Sequence, residues 1–214
     1  DAAHELRTPL AAMRINVEAL QGYISSERQQ ALLAGIIRSN SRAARLVNQL
    51  LLLMHSEART DTVMAAVPLT SLIQDRMAAL SPLAAERRIE LEFYADEEFC
   101  IEGVRERLMS LIDNVIENAI KYSPEGGRVE VAVRACDAFT QLRVSDAGPG
   151  IPVELRERVF DRFFRDPNQL QSGSGLGLSI VRAVAQQHNS RVGLSTSAEG
   201  GLVVTVEFPG HAVA

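Results

Sequence analysis

Three stretches of this sequence set polar side chains and glycines where phosphate or metal chemistry can be done. Asn114, Asn118 and Lys121 follow an i, i+4, i+7 spacing inside the helical pattern Val104–Tyr122, so their side chains share one face. Two carboxamide oxygens on one face can ligate a hard cation such as Mg2+, which takes oxygen donors and keeps water and phosphate ligands as well. Lys121, the only lysine in the chain, lies beside them and is placed to meet phosphate, while Tyr122 offers an edge to a base or ribose. Read alone, this is equally an ordinary helix with a polar face.

The second stretch, Asp146-Ala-Gly-Pro-Gly-Ile-Pro152, follows the strand-like Leu142–Ser145. Gly148 and Gly150 permit positive φ and close ligand approach, with Ile151 just beyond them. Asp146, at the strand end, is placed to accept a hydrogen bond from an exocyclic amine; a plain capped turn is the alternative. The third stretch is Gly173-Ser-Gly175-Leu176-Gly177-Leu178, immediately before a helix running to Gln187. Glycines ahead of a helix N-terminus expose backbone N–H groups and the positive end of the dipole, which suits phosphates. The string is close to GxGxxG, but its spacing differs and no βαβ unit surrounds it, so a Rossmann or P-loop assignment fails its context. Between the second and third stretches, Phe160-Asp-Arg-Phe-Phe-Arg165 leads into a polar segment, the pattern of an anchored lid over a ligand.

Elements of two kinds must position these residues. The chain has 214 residues, 46% hydrophobic and 23% charged, with mean hydropathy near zero, which excludes a disordered tail, a collagen-like fibre or a disulfide-stapled mini-protein. A net charge of −5 supplies no global basic field, so direct nucleic-acid binding is not expected. Cys100 and Cys136 fit no metal spacing and read as buried or half-buried thiols. His55, His188 and His211 read as surface residues. The longest apolar run, Leu50–Met54, is far short of a membrane span, no signal peptide is visible, and the chain opens inside a helical pattern as though cut from something longer.

Leu6, Leu10, Met13, Val17 and Leu20 trace a helical seam kinked at Pro9, and a second pattern runs from about Arg28 to Ala58. Two such helices make an antiparallel hairpin over residues 1–59; alone it buries its seam poorly, so two chains are expected to pair into a four-helix bundle. The periodicity lapses over 60–68, read as a linker. Residues 69–210 then mix helices (Leu69–Glu86, Val104–Tyr122, Leu176–Gln187, a short one at Glu154–Arg158) with strands (Ile89–Tyr94, Arg128–Arg134, Thr140–Ser145, Arg191–Ser195, Leu202–Phe208). The hairpin-linked strands point to an α+β two-layer sandwich with a tail at 211–214.

Asn114…Asn118-Ala-Ile-Lys-Tyr122, Asp146–Gly150, Phe160–Phe164 and Gly173–Gly177 resemble, in order, the N, G1, F and G2 boxes of the Bergerat-type ATPase fold. The opening His4-Glu-Leu-Arg-Thr-Pro-Leu10 resembles the H box of bacterial sensor histidine kinases, in the class whose partners are OmpR-like response regulators. Gyrase, Hsp90 and MutL-type ATPases of this fold carry a Glu base four residues before the second Asn. Here that position is Asn114, which favours phosphoryl transfer to a side chain over plain hydrolysis.

The resemblance implies ATP and Mg2+ as ligands. Asn118 would hold the metal with Asn114 in support, Lys121 and Arg165 would contact phosphates, backbone amides around Gly175 and Gly177 would cradle them, and Asp146 would read adenine. His4 is then the phosphoryl acceptor. Glu5 lies beside it to hold or remove a ring proton, and Thr8, one turn on, can orient a water for the reverse step on a phosphorylated regulator. The regulator is expected near Arg14 and Arg42–Arg45. Relatives carry membrane spans ahead of the H box, so the chain is expected to be the cytoplasmic portion of an inner-membrane sensor. The competing readings are a Bergerat-fold ATPase or a scaffold, neither with a phosphohistidine.

Overall fold

The structure, a computed structural model, describes residues 15, 29–30, 33, 35–37, 64–136, 138–166, 171, 174–210 and 212–213. The chain divides into two units, Asp1–Arg59 and Thr60–Ala214. In the first, every described residue is helical, with Leu33 buried and Ile15 and Ile36 exposed. The loop expected at Ser25–Glu27 lies outside the described residues.

The second unit runs β1 (Ala65–Pro68), α1 (Leu69–Glu86), β2 (Glu90–Ala95), β3 (Phe99–Gly103), α2 (Arg105–Tyr122), β4 (Arg128–Cys136), β5 (Phe139–Asp146), α3 (Gly177–Gln187), β6 (Arg191–Thr196), β7 (Leu202–Pro209) and β8 (Ala212–Val213). Five strands form one sheet in the order β2-β4-β5-β7-β6, antiparallel except for the parallel pair β2–β4. Alternation decides which face is covered. Val129, Val131 and Val133 of β4, Leu142 and Val144 of β5, and Val204, Val206 and Phe208 of β7 are buried, while Glu130, Gln141, Arg143 and Glu207 on the other phase are partly solvated. The helices contribute Ile73 and Leu80 of α1, Leu108, Ile112, Val115 and Ala119 of α2, and Ile180 and Val184 of α3 to the core. A two-layer α+β sandwich results, as the patterning predicts.

Four sequence readings need correction. Residues 65–68, read as linker, are strand β1, pairing antiparallel with β3 from Ala65↔Gly103 to Pro68↔Cys100. Residues 212–213, read as tail, are strand β8 on the other side of β3. The reading left Phe99–Gly103 without an element, although it is the central strand of this second sheet. The short helix at Glu154–Arg158 is instead two 3-10 turns, Val153–Leu155 and Arg158–Phe160. Beneath β1, α1 lacks a local cap and takes a distant one: the Glu98 carboxylate accepts from the Thr70 N–H at 2.9 Å and the Ser71 N–H at 3.2 Å.

Candidate nucleotide site

The helical period places Asn114 at the edge of α2's buried stripe, where it is 9% exposed and its Nδ2 donates to the Ser110 carbonyl at 2.7 Å. Asn118 follows one turn on and is half-buried. Both carboxamides face the start of α3. A Cβ added to Gly177 would lie 3.0 Å from Asn118 Nδ2 and 3.2 Å from Asn114 Oδ1, so the absent side chain lets the α3 backbone approach the pair. The first turn of this 11-residue helix has no side-chain cap, and the opening N–H groups of a helix have no partner within it.

In the last turn of α2, Lys121 Nζ lies 3.3 Å from the Tyr122 hydroxyl and 4.7 Å from its ring centroid. Arg87 closes this end of the helix: Nη1 donates to the carbonyls of Ile120 and Lys121, and Nη2 to that of Ser123 at 3.0 Å. The turn after β5 packs onto Tyr122. A Cβ on Gly148 would stand 2.7 Å from the Tyr122 carbonyl oxygen, so steric room requires glycine there, whereas Gly150 needs it for its φ of +69°.

Asp146 is the last residue of β5 and falls on the buried phase of an unbroken alternation with Leu142 and Val144. Its Oδ1 accepts from the Gly148 N–H at 2.8 Å and the Leu202 N–H at 3.0 Å. Burial raises its pKa above the ordinary carboxylate value, and these two bonds oppose the rise. Oδ1 being occupied, Oδ2 is the acceptor left for a ligand.

The segment between β5 and α3 is tied down at several points. Arg156 Nε donates to the Ile151 carbonyl at 3.2 Å, and Arg156 Nη2 to Thr196 Oγ1 at 2.7 Å. The Phe160 ring lies 5.5 Å from the Arg182 guanidinium carbon. Phe163, exposed and at φ +63°, donates its N–H to the Gly175 carbonyl at 2.9 Å. Gly175, itself at φ +70°, leaves no space for a Cβ, which would fall 2.6 Å from the Phe163 carbonyl carbon. Leu176, just ahead of α3, is fully buried, and Leu178 in its first turn is half-buried. Arg165 Nη2 donates to the Gln171 carbonyl at 2.9 Å.

Asn114, Asn118 and Gly177 therefore meet directly, as do Tyr122, Gly148 and Asp146. His4, Glu5, Thr8, Gly173 and the expected regulator face at Arg14 and Arg42–Arg45 lie outside the described residues.

Sequence reasoning missed the β6–β7 turn, whose Leu202 N–H holds Asp146 and whose Gly201 abuts it. The signal was the pair Gly200-Gly201, two adjacent glycines with no assigned purpose. It also misread His188 as a surface residue. That ring is 4% exposed, with Nδ1 donating to the Val184 carbonyl at 2.7 Å and Nε2 accepting from the Val104 N–H at 3.1 Å. Cys100 and Cys136 are half-buried, as read.

Among the described residues no three of His, Cys, Asp and Glu cluster as a metal site, and no helix is long and apolar enough to cross a membrane.

Comparison with known proteins gives the family. Residues 103–212 match the family described as histidine kinase-, DNA gyrase B- and HSP90-like ATPase, and residues 1–59 match the His Kinase A (phospho-acceptor) domain. The sensor protein kinase PmrB of Pseudomonas aeruginosa is 35% identical over 98% of this chain and 44% of its own length. The sensor protein QseC of Salmonella typhi is 38% identical over 97% of the chain and 46% of its own length. The chain thus spans just under half the length of these relatives. The solved structure of full-length ShkA in complex with AMPPNP matches with a TM-score of 0.82 at 27% identity, covering 100% of this chain and 46% of that one. A phospho-acceptor domain followed by an ATPase domain of the histidine kinase type, in the order found in sensor kinases, makes this chain a member of the sensor histidine kinase family.

Proposed function

We propose that this chain is the catalytic part of a two-component sensor: it binds ATP in the second unit, phosphorylates His4, and passes the phosphoryl group to an Asp of a response regulator. The observation that carries the nucleotide reading is the approach of Gly177, in the uncapped first turn of α3, to the carboxamides of Asn114 and Asn118. An oxygen-bearing amide pair suits a hard cation completed by phosphate oxygens and water, so Asn118, with Asn114 in support, would hold Mg2+. When bound, Mg2+ neutralises phosphate charge. Lys121 adds positive charge from the same helix face, and Asp146 Oδ2 accepts from the adenine amine. The AMPPNP bound to ShkA supports an adenine nucleotide as the ligand class.

In the transfer, a ring nitrogen of His4 bonds to the γ-phosphorus. The bond from that phosphorus to the β–γ bridging oxygen breaks, and ADP leaves with the electron pair. Glu5 takes or holds the proton on the other ring nitrogen, and Thr8 orients the water that later hydrolyses the phosphorylated regulator. Residues 1–59 form the homodimer, the regulator is of the OmpR-like class, and the chain works on the cytoplasmic side of a membrane reached through other segments of the protein. Asn114, standing where related ATPases carry their base, favours this reading over plain hydrolysis.

The test is incubation with Mg2+ and γ-labelled ATP, then acid and alkali treatment. Label that is lost in acid, stable in alkali and absent from His4→Gln is the expected result. Binding of ATP without any such label would overturn the phosphohistidine.

A further inference from the structure

The β6–β7 turn, residues 197–201, does more for Asp146 than lie beside it. The Ser197 hydroxyl makes two hydrogen bonds, accepting from the Gly201 N–H at 2.8 Å and donating to the Asp146 carbonyl at 3.2 Å. Its backbone closes the turn, with the Ser197 N–H on the Gly201 carbonyl at 2.8 Å and the Gly200 N–H on the Ser197 carbonyl at 3.1 Å. The next N–H along, that of Leu202, lands on Asp146 Oδ1. There is no slack between the two segments, because a Cβ on Gly201 would fall 2.0 Å from the Asp146 carbonyl oxygen and 2.8 Å from Oδ1. One hydroxyl thus ties the Asp146 main chain to the turn that holds the Asp146 side chain.

We propose that Ser197 is a positioning residue for base recognition: its hydroxyl fixes the turn so that the Leu202 N–H stays on Asp146 Oδ1 and Oδ2 is presented to the exocyclic amine of a purine. This rests on the reading of Asp146 as the adenine acceptor. Without the Ser197 hydroxyl, the turn keeps its backbone bonds but loses this side-chain tie to the Asp146 main chain, and the carboxylate can rotate and share its proton-accepting oxygens differently. The Leu202 bond also favours the ionised carboxylate, so weakening it makes protonation easier.

The experiment measures affinity for ATP, and for inosine triphosphate, which lacks the amine, between pH 5 and pH 8 by calorimetry on the whole chain. Wild type, Ser197→Ala, Ser197→Thr and Asp146→Asn are compared, with the melting temperature of each free protein. For Ser197→Ala we expect about a tenfold loss of ATP affinity, the scale of one weakened charged hydrogen bond. Inosine triphosphate affinity should be little changed, so the preference between the two falls. The acid limb of ATP affinity should move to higher pH, and Ser197→Thr should restore both.

Equal loss of both nucleotides with an unmoved acid limb makes Ser197 a general stabiliser and overturns the proposal, as does unchanged ATP affinity in Ser197→Ala when Asp146→Asn has lost it. If Asp146→Asn itself binds ATP normally, the base reading fails and the proposal with it.

Discussion

His188 Nε2 accepts the Val104 N–H at 3.1 Å, so the residue that ends α3 caps the start of α2. The two helices that face each other through Gly177 and Asn118 are thereby fastened a second time, at α3's far end. A Cβ on Gly103 would sit 2.6 Å from Leu108 Cδ1 and 2.9 Å from the His188 ring, which shows how closely the strand passes this joint.

That joint makes the second unit acid-sensitive. Burial lowers the His188 pKa below 6.5, with the charge of Arg107 acting in the same direction. The folded unit therefore keeps the ring neutral where the unfolded chain protonates it. Its contribution is complete above about pH 6.5 and is lost as pH falls from there through the lowered folded value. Urea unfolding at pH 7.5, 6 and 5 should show stability falling. His188→Ala should cost about 1–3 kcal/mol at pH 7.5, through the orphaned Val104 N–H and the cavity, and should flatten the slope below pH 6.5. An unchanged slope would mean that another group carries it.

Asp146→Asn tests the base pocket. The amide can keep its oxygen on the Gly148 and Leu202 N–H groups, but it turns an NH2 toward the space now served by Oδ2. Nucleotide affinity should drop by about 10- to 100-fold, the scale of a hydrogen bond to a charged group. The melting temperature of the free protein should hold or rise, since a buried charge has gone. Equilibrium binding of ATP beside a thermal melt separates the two effects.

Gly201→Ala should damage the fold where Gly126→Ala only strains it. The new methyl at residue 201 would have to enter the Asp146 backbone, whereas at Gly126, φ +77°, no atom lies within 4 Å. The second change costs only the left-handed conformation, about 1–2 kcal/mol. The first should lower the melting temperature by more and weaken ATP binding as well. Thermal melts of both variants with and without ATP give the comparison.

Arg87→Ala should loosen the end of α2 that carries Lys121 and Tyr122. Its guanidinium serves three carbonyls there, two of them in the last turn. Hydrogen bonds from a charged donor are each worth about 1.5–3 kcal/mol, although the three share one side chain and will not add. A stability loss of roughly 2–3 kcal/mol is expected, with faster amide exchange confined to residues near 119–123. Exchange rising uniformly across the sheet would point to a general role instead.

What was legible in the sequence followed from period and from glycine. The strict alternation of β5 carries Asp146 to the covered face without reference to anything outside the strand, and the i, i+4 spacing of Asn114 and Asn118 does the same on α2. What was not legible depended on partners distant in sequence. Ala65-Ala66-Val67-Pro68 has no periodicity, and it is a strand only because Phe99–Gly103 lies against it. Glu98 caps a helix that begins 29 residues earlier, and its role is invisible from Glu97-Glu98, which reads as a charged loop. His188 follows a helix end, where a polar ring is ordinarily solvated, and here the distant Gly103–Val104 junction lies against it.

β1 also has a mechanical consequence. Four ladder pairs bind it to β3, and β3 passes into α2 through Gly103 and Val104. A tug on the backbone at Ala65 is thus taken up in shear by β3 rather than absorbed by a slack tether, and it arrives at the root of the helix that bears Asn114, Asn118 and Lys121.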